Sequence, residues 1–312
     1  MDAGALPRIV QAPIGGCAGP ELVGAVAAAG GLGLFACTWS DAETIAREVD
    51  EARALGDGLI GGNVVLRFDI DAQLDALLAA RVPVVSFSWG HPGAERITRC
   101  HEAGALVVVQ VGTASAVPAL LADGVDALIA QGVEAGGHVQ STTPLVRLLD
   151  DVLAVAGDAP VIAAGGLATA GDVAEVVAAG AAGAMLGTRF VATRESRAHP
   201  RYKERLLAAE ADDTVLTLAF DGTWPFGPHR VLRTTTLDMW EAAGCPWPGG
   251  RPGEGDEVVR LAGGGVLPRY DDAPPLVGDD GDIDAACLYA GTGVGAIRDL
   301  PAAGELVRSL SV

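Results

Sequence analysis

The chain has 312 residues, 50% of them hydrophobic, with 21 Lys+Arg against 40 Asp+Glu and a formal net charge of -19. So acidic a chain lacks the basic footprint of a nucleic-acid binder, and its apolar content excludes disordered and collagen-like chains. The length suits two average domains, or one large α/β barrel with an appendage.

In chain order, the patterning predicts a strand over residues 9–12 and a helix over 20–29, where Pro20 suits the first turn after Gly19. A strand over 32–36 leads into a helix over 41–55, with Ser40-Asp41-Ala42-Glu43 resembling a capping box. Strand 60–64 is followed by helix 71–80, strand 82–87 by helix 93–103, and strand 106–111 by helix 114–123. Strand 127–130 precedes helix 145–155, strand 161–164 precedes helix 171–179, and strand 184–186 ends the series. Most of these strands are apolar without alternation, as strands covered on both faces of a parallel sheet are. Eight such units predict an α/β fold, a closed (β/α)8 TIM barrel. An open dinucleotide-binding sheet is disfavoured, because Gly15-Gly16-Cys17-Ala18-Gly19 lacks the fingerprint spacing and Gly291, Gly293 and Gly295 come too late in the chain.

Residues 103–122 carry no charge, but Gly104, Gly112, Pro118 and the cluster Val107-Val108-Val109 read as strand, turn and helix instead of a membrane span. After Arg189 the rhythm breaks. A helix over 200–211 and a strand over 214–220 precede an irregular stretch, 222–256, rich in Trp, Pro and Gly. The acidic loop 279–282 lacks the closing Glu of an EF-hand, and a glycine turn followed by a helix begins at Ala290. The expected organisation is a barrel over 1–195, a smaller inserted cap domain over 196–288, and a segment over 289–312 that returns to the barrel.

The five cysteines are scattered, with no CxxC pair. Met1-Asp2-Ala3-Gly4 does not begin a signal peptide, so the expected location is cytoplasmic. Lys203 is the sole lysine, which removes a GK[ST] phosphate loop and a Schiff-base pair. No metal site is expected, since the histidines are isolated from one another.

Barrel enzymes carry their chemistry at the carboxyl ends of strands. There the chain places few carboxylates, so paired acid–base carboxylates are not expected. Gly165-Gly166 and Gly187-Thr188 end consecutive strands, where backbone N–H groups could hold a phosphate; tight turns alone would also explain them. The neutral amides Asn63, Gln110 and Gln131 suit the edge of a flat heterocycle, or simply loop capping. His138 follows Gly136-Gly137 in the loop after the sixth strand and is the candidate acid–base residue, with His91 its rival. His101, His199 and His229 read as structural or surface residues.

Several runs occur together: Gln11-Ala12-Pro13-Ile14-Gly15-Gly16, Gly62-Asn63-Val64, Ser86-Phe87-Ser88-Trp89-Gly90, residues 131–138 (Gln-Gly-Val-Glu-Ala-Gly-Gly-His), Ala163-Ala164-Gly165-Gly166 and Gly187-Thr188-Arg189-Phe190. In these the chain resembles the nitronate monooxygenase family over the whole barrel, and Ala290-Gly291 with Gly293-Val294-Gly295 extends the match to the C-terminus. The resemblance implies an FMN-dependent oxidoreductase that converts alkyl nitronates, with O2, to a carbonyl compound and nitrite. It implies flavin contacts at Asn63, Gln131, Gly136, Gly165, Gly166, Met185, Leu186, Gly187 and Thr188, and a catalytic His138. Its expected partners are a small-molecule nitronate or nitroalkane and O2, with no nucleic acid, no membrane, and a homodimer left open. Two groups share these motifs, an FMN-dependent enoyl-ACP reductase and an NADH:quinone reductase, and a non-catalytic flavin binder is a third reading. The run 86–90 favours the monooxygenase, and Gln110 stands where the quinone reductases tend to have a lysine. Ile14 and Thr292 depart from the family's usual Met and Gln.

Overall fold

The computed structural model describes residues 3–311. Met1 and Asp2, part of the segment judged not to begin a signal peptide, lie outside the described residues, as does Val312. Eight parallel strands close a barrel: β1 (Ile9–Gln11), β2 (Leu32–Ala36), β3 (Leu59–Val65), β4 (Val84–Ser88), β5 (Leu106–Val111), β6 (Ala127–Gln131), β8 (Val161–Ala164) and β9 (Gly183–Leu186). β7 (Gly137–His138) lies outside the barrel, in the loop after β6. Closure comes from β1, where Val10 pairs with Leu32 on one side and with Met185 on the other. Because side chains alternate along a strand, Val10, Leu32, Leu34, Val84, Val108, Ile129, Ile162 and Met185 form an inner cluster, distinct from the layer packed against the helices.

That outer layer is covered by α1 (Pro20–Ala28), α2 (Ala42–Arg53), α3 (Asp71–Ala79), α4 (Ala94–Glu102), α5 (Val117–Ala122), α6 (Leu145–Ala156) and α7 (Ala170–Ala178). Pro20 does occupy the first turn of α1. The cap of α2 is Asp41, whose carboxylate accepts the Thr44 N–H at 2.8 Å, so the chain uses one residue later than a capping box at Ser40 requires. The helix expected over 114–123 divides into a 3-10 turn, Ala114–Ala116, and α5, with Pro118 in the first turn of the latter.

Beyond the short α8 (Thr188–Val191), α9 (Pro200–Ala208) leads to β10 (Thr214–Thr217). The strand expected over 214–220 stops at Thr217, whose hydroxyl accepts the Ala219 N–H at 3.1 Å and turns the chain. The stretch expected to be irregular over 222–256 contains β11 (His229–Leu232) and α10 (Thr235–Ala242), the latter capped by Thr234. β10, β11 and β7 form an antiparallel sheet, and β12 (Glu257–Arg260) lies between β13 (Val266–Pro268) and β14 (Asp280–Gly281) in another. Asp279, in the acidic loop, accepts the Leu276 and Ala262 N–H groups at 2.7 and 3.0 Å. Among the described residues no His/Cys/Asp/Glu group is placed to hold a metal, and no helix is long and apolar enough to cross a membrane. The terminal α11 (Ala303–Leu310) buries Ala303, Leu306, Val307 and Leu310 in the outer barrel layer.

Candidate active site

The carboxyl ends of the strands, the loop carrying β7 and residues from 223–224, 272–276 and 289–293 enclose a cavity of about 530 Å³. Asn63, Gln110, Gln131, Gly136, His138, Gly165, Gly166, Met185, Gly187 and Thr188 all line it. Leu186 does not: its side chain is buried among the outer-layer residues, where period-two alternation sends the neighbour of Met185. His91 is also elsewhere, partly exposed, with Nδ1 accepting the Gly93 N–H at 3.0 Å.

Glycine chemistry shapes the floor. Gly166 has φ +72°, and a Cβ there would lie 3.0 Å from Glu134 Cβ and 3.1 Å from Thr292 Oγ1. Gly187 differs, since an added Cβ would meet nothing nearer than Ala12 Cβ at 3.6 Å and would stand in the cavity's margin. Among the described residues the N–H groups of Gly166 and Thr188 have no protein acceptor, as expected for a turn and for a helix start. The C-terminal turn joins this end of the barrel: Gly291 N–H donates to Thr188 Oγ1 at 2.9 Å and Thr292 N–H to Glu134 O at 3.0 Å. That turn also explains Gly136, where a Cβ would lie 2.4 Å from Gly291 N.

The loop from Gln131 to His138 is fixed at several points. Gln131 Nε2 donates to His138 O at 3.1 Å, and its Oε1 accepts Gln140 N–H at 2.9 Å. The Glu134 carboxylate accepts Leu145 N–H at 2.9 Å and so serves the start of α6, where Pro144 offers no side-chain cap. Arg230, on β11, donates to Val133 O at 2.9 and 3.2 Å. Pairing of β7 with β11 sets His138 opposite His229.

His138 stacks on Trp224 with centroids 4.1 Å apart and planes 15° from parallel. Trp89, Tyr289 and His229 surround the same ring at 6.4, 5.8 and 5.3 Å. Its Nε2 is buried without a partner among the described residues. Burial, with a smaller contribution from His229, lowers the His138 pKa from 6.5 to about 3, so it is a neutral imidazole at neutral pH. His229 is wholly buried: Nδ1 donates to Gly227 O at 2.8 Å and Nε2 accepts Phe220 N–H at 3.3 Å, a pattern that fixes a neutral tautomer and leaves no free nitrogen. It is a structural residue, as its position in the sequence suggested, yet it sits against the site.

The amides share the work unequally. Asn63 Nδ2 donates to Ser86 O and Oγ at 3.2 and 3.1 Å, whereas the Gln110 carboxamide is without a partner among the described residues. With the apolar Ile14, Ala36, Val65 and Met185 on the walls, the lining fits an uncharged flat ring bearing a phosphate tail that backbone N–H groups would hold. Sequence reasoning placed Trp89 at a strand end but missed Trp39, Thr223, Trp224, Asp272 and Tyr289 as lining residues. The Trp-rich composition near 224 was visible, but its seat over His138 depends on the β7–β11 pairing. Trp89 carries a different signal, a strained φ of +64° that holds its ring 4.8 Å from Trp224.

A family model described as nitronate monooxygenase matches residues 3–73 and 68–312. Among curated proteins, the chain is similar to the Mycobacterium tuberculosis (3aS,4S,5R,7aS)-5-hydroxy-7a-methyl-1-oxo-octahydro-1H-indene-4-carboxyl-CoA dehydrogenase, 33% identical over 97% of this chain and 91% of that protein. Among solved structures it resembles a nitroalkane oxidase from Streptomyces ansochromogenes, with 32% identity, TM-score 0.78, and coverage of 98% of this chain and 94% of that one. FabK from Thermotoga maritima superposes with TM-score 0.79 at 28% identity, covering 97% and 91% of the two chains.

Proposed function

The chain belongs to the nitronate monooxygenase family, and from that membership we propose that it is an FMN-dependent oxidoreductase acting on nitroalkanes or their nitronates with O2. The backbone N–H groups of Gly166 and Thr188, with Gly165 and Gly187 leaving room, would hold the phosphate. Gln110, Gln131 and Asn63 would meet the ring edge, with Met185 and Gly136 also in the lining. FMN bound there supplies the electron acceptor. Residues 196–288 act as the cap that carries Trp224 and β11 over the mouth.

One observation carries this reading: a buried imidazole, neutral at neutral pH, faces the cavity from a loop fixed on both sides. A neutral His138 takes the proton from the carbon beside a nitro group, which leaves the nitronate in the cavity. Burial disfavours a resting imidazolium; the imidazolium formed when His138 takes the proton is paired with the negative charge of the nitronate it leaves behind.

A second reading is favoured by the CoA-thioester relative, 33% identical over 97% of this chain. A thioester also has an acidic C–H beside an electron-withdrawing group, so the same base would serve it. Anaerobic mixing of the FMN-loaded protein with a nitroalkane, its nitronate, an acyl thioester and NADH separates these readings. Flavin bleaching first by the nitro compounds supports the proposal. Faster bleaching by the thioester transfers the activity to the second reading, and faster bleaching by NADH makes the protein a reductase.

A further inference from the structure

We infer that the cavity selects the substituent of its substrate by charge and shape, taking a neutral aromatic or bulky apolar group and rejecting a carboxylate, with Asp272 and the tryptophan wall as the specificity-determining residues. The inference rests on the proposed function for the reacting carbon, and concerns what is attached to it.

The ionisable side chains among the described lining residues are His138, Asp272 and Tyr289; no Lys or Arg is included. Arg67, exposed on the loop that carries Phe68, is not part of the lining. Asp272 is buried, and its carboxylate is held by Thr223, from the backbone N–H at 2.9 Å and the hydroxyl at 2.8 Å. Thr223 lines the cavity one residue before Trp224, so this carboxylate is anchored on the same side as the ring stacked on His138. The phosphate expected at Gly166 and Thr188 adds further negative charge to the same cavity. An anionic substituent entering the cavity would meet two like-signed groups with no side-chain cation in the lining, in a confined space of low dielectric.

The walls specify the rest. Trp224 lies 5.4 Å from Phe68 and 6.4 Å from Trp39, and Phe68 and Trp39 are themselves 5.3 Å apart. This run of rings leads from His138 outward to Trp39, which is 56% exposed. A large exposed aromatic at the lip of a cavity gains from covering an apolar ligand. Pro274 and Leu276 face the cavity from the segment that also carries Asp272. The arrangement thus suits a phenyl or branched alkyl group pointing from the reacting carbon toward Trp39.

Two ligand pairs test this on the FMN-loaded protein. First, 3-phenylpropan-1-ol and 3-phenylpropionate, which share one apolar body, are titrated by calorimetry and tryptophan fluorescence at neutral pH and low salt. The alcohol is expected to bind about tenfold tighter or more, and Asp272→Asn to shrink that ratio by relieving the carboxylate. Equal binding, tighter binding of the acid, or an unchanged ratio in a folded Asp272→Asn protein overturns the inference. If that variant does not fold, the wild-type ratio decides the matter. Second, kcat/KM is measured for 1-nitro-2-phenylethane, nitroethane and 3-nitropropionate. The expected order is phenyl, then ethyl, then carboxylate, with Trp39→Ala reducing the phenyl advantage; a carboxylate that reacts best overturns the inference. If no nitro compound reacts while the alcohol–acid ratio holds, the proposed reaction fails and the selectivity stands.

Discussion

At the scale of single residues, His138 combines a fixed place with an unusual proton affinity. His138→Asn keeps a polar group of similar size but removes the proposed base, so turnover of a neutral nitroalkane should fall by about 10²–10⁴-fold. A preformed nitronate should suffer less, and bound flavin should stay near wild type; parallel His91→Asn should leave both activities intact. Equal small effects on the two substrates would remove His138 from proton transfer. Burial of the neutral imidazole also has a stability consequence. Its pKa falls from 6.5 to about 3 on folding, so below pH 6.5 the unfolded chain takes up a proton that the folded chain refuses. Stability should therefore decline as pH drops from 6.5 toward 3, by a few kcal/mol from this group, and buried His229 adds in the same direction. Denaturant titrations across that range should show a shallower decline in His138→Asn. An identical slope would mean that the ring is solvated. Gly187 offers a clean cofactor test, because its added Cβ meets only Ala12 at 3.6 Å. Gly187→Val should fold, by circular dichroism, yet purify without flavin colour. Gly166, with φ +72°, is a poorer choice, since any side chain there strains the backbone.

At the scale of elements, the decisive contact is the antiparallel pairing of β7 with β11, which ties the barrel loop to the cap. Two residues before β11, Gly227 leaves space for the stacked rings: a Cβ there would lie 2.8 Å from His138 Cδ2 and 3.0 Å from Trp224. Gly227→Ala should therefore shift the imidazole without removing it. A displacement of this size commonly costs on the order of 10²-fold in rate, and it should lower kcat more than flavin content. Full activity in that variant would show that the Trp224 stack does not position His138. The Trp/Pro-rich stretch expected to be irregular turns out to be the element that closes the site. Its aromatic composition was readable, but its strand was not: His229–Leu232 is short and mixed in polarity, and gains order by pairing with both Thr214–Thr217 and Gly137–His138.

At the scale of the whole molecule, α11 packs against α1 on the barrel wall. Ala303, Leu306, Val307 and Leu310 are all buried there. Removing residues 303–312 would expose the outer layer and forfeit about 1.5–3 kcal/mol for each large apolar side chain. The truncated protein should melt well below the full chain, and an unchanged melting temperature would show that α11 is dispensable. The turn at 291–293, just upstream, also lines the cavity, so loosening α11 should weaken flavin retention as well.

The sequence by itself determined the barrel, because that architecture is written in local pattern: short two-sided apolar strands, amphipathic helices between them, and glycines at the strand ends. It also placed Asn63, Gln131, Gly136, His138, Gly165, Gly166, Met185, Gly187 and Thr188 at one end, since a parallel barrel sends every strand's carboxyl end to the same mouth. Leu186 differs, because its side chain turns to the helices, as alternation along β9 requires, and does not line the cavity. Only the tertiary structure decided the state of His138. Its neutrality comes from burial, with Trp224 stacked on the ring, and to a smaller extent from His229; both residues lie far along the chain. The return of residues 289–312 to the barrel was expected, but the negative charge in the cavity was hidden, because Asp272 reaches the mouth only through the tertiary fold. Desolvation and proximity depend on where the chain returns in space, and no local spacing encodes that return.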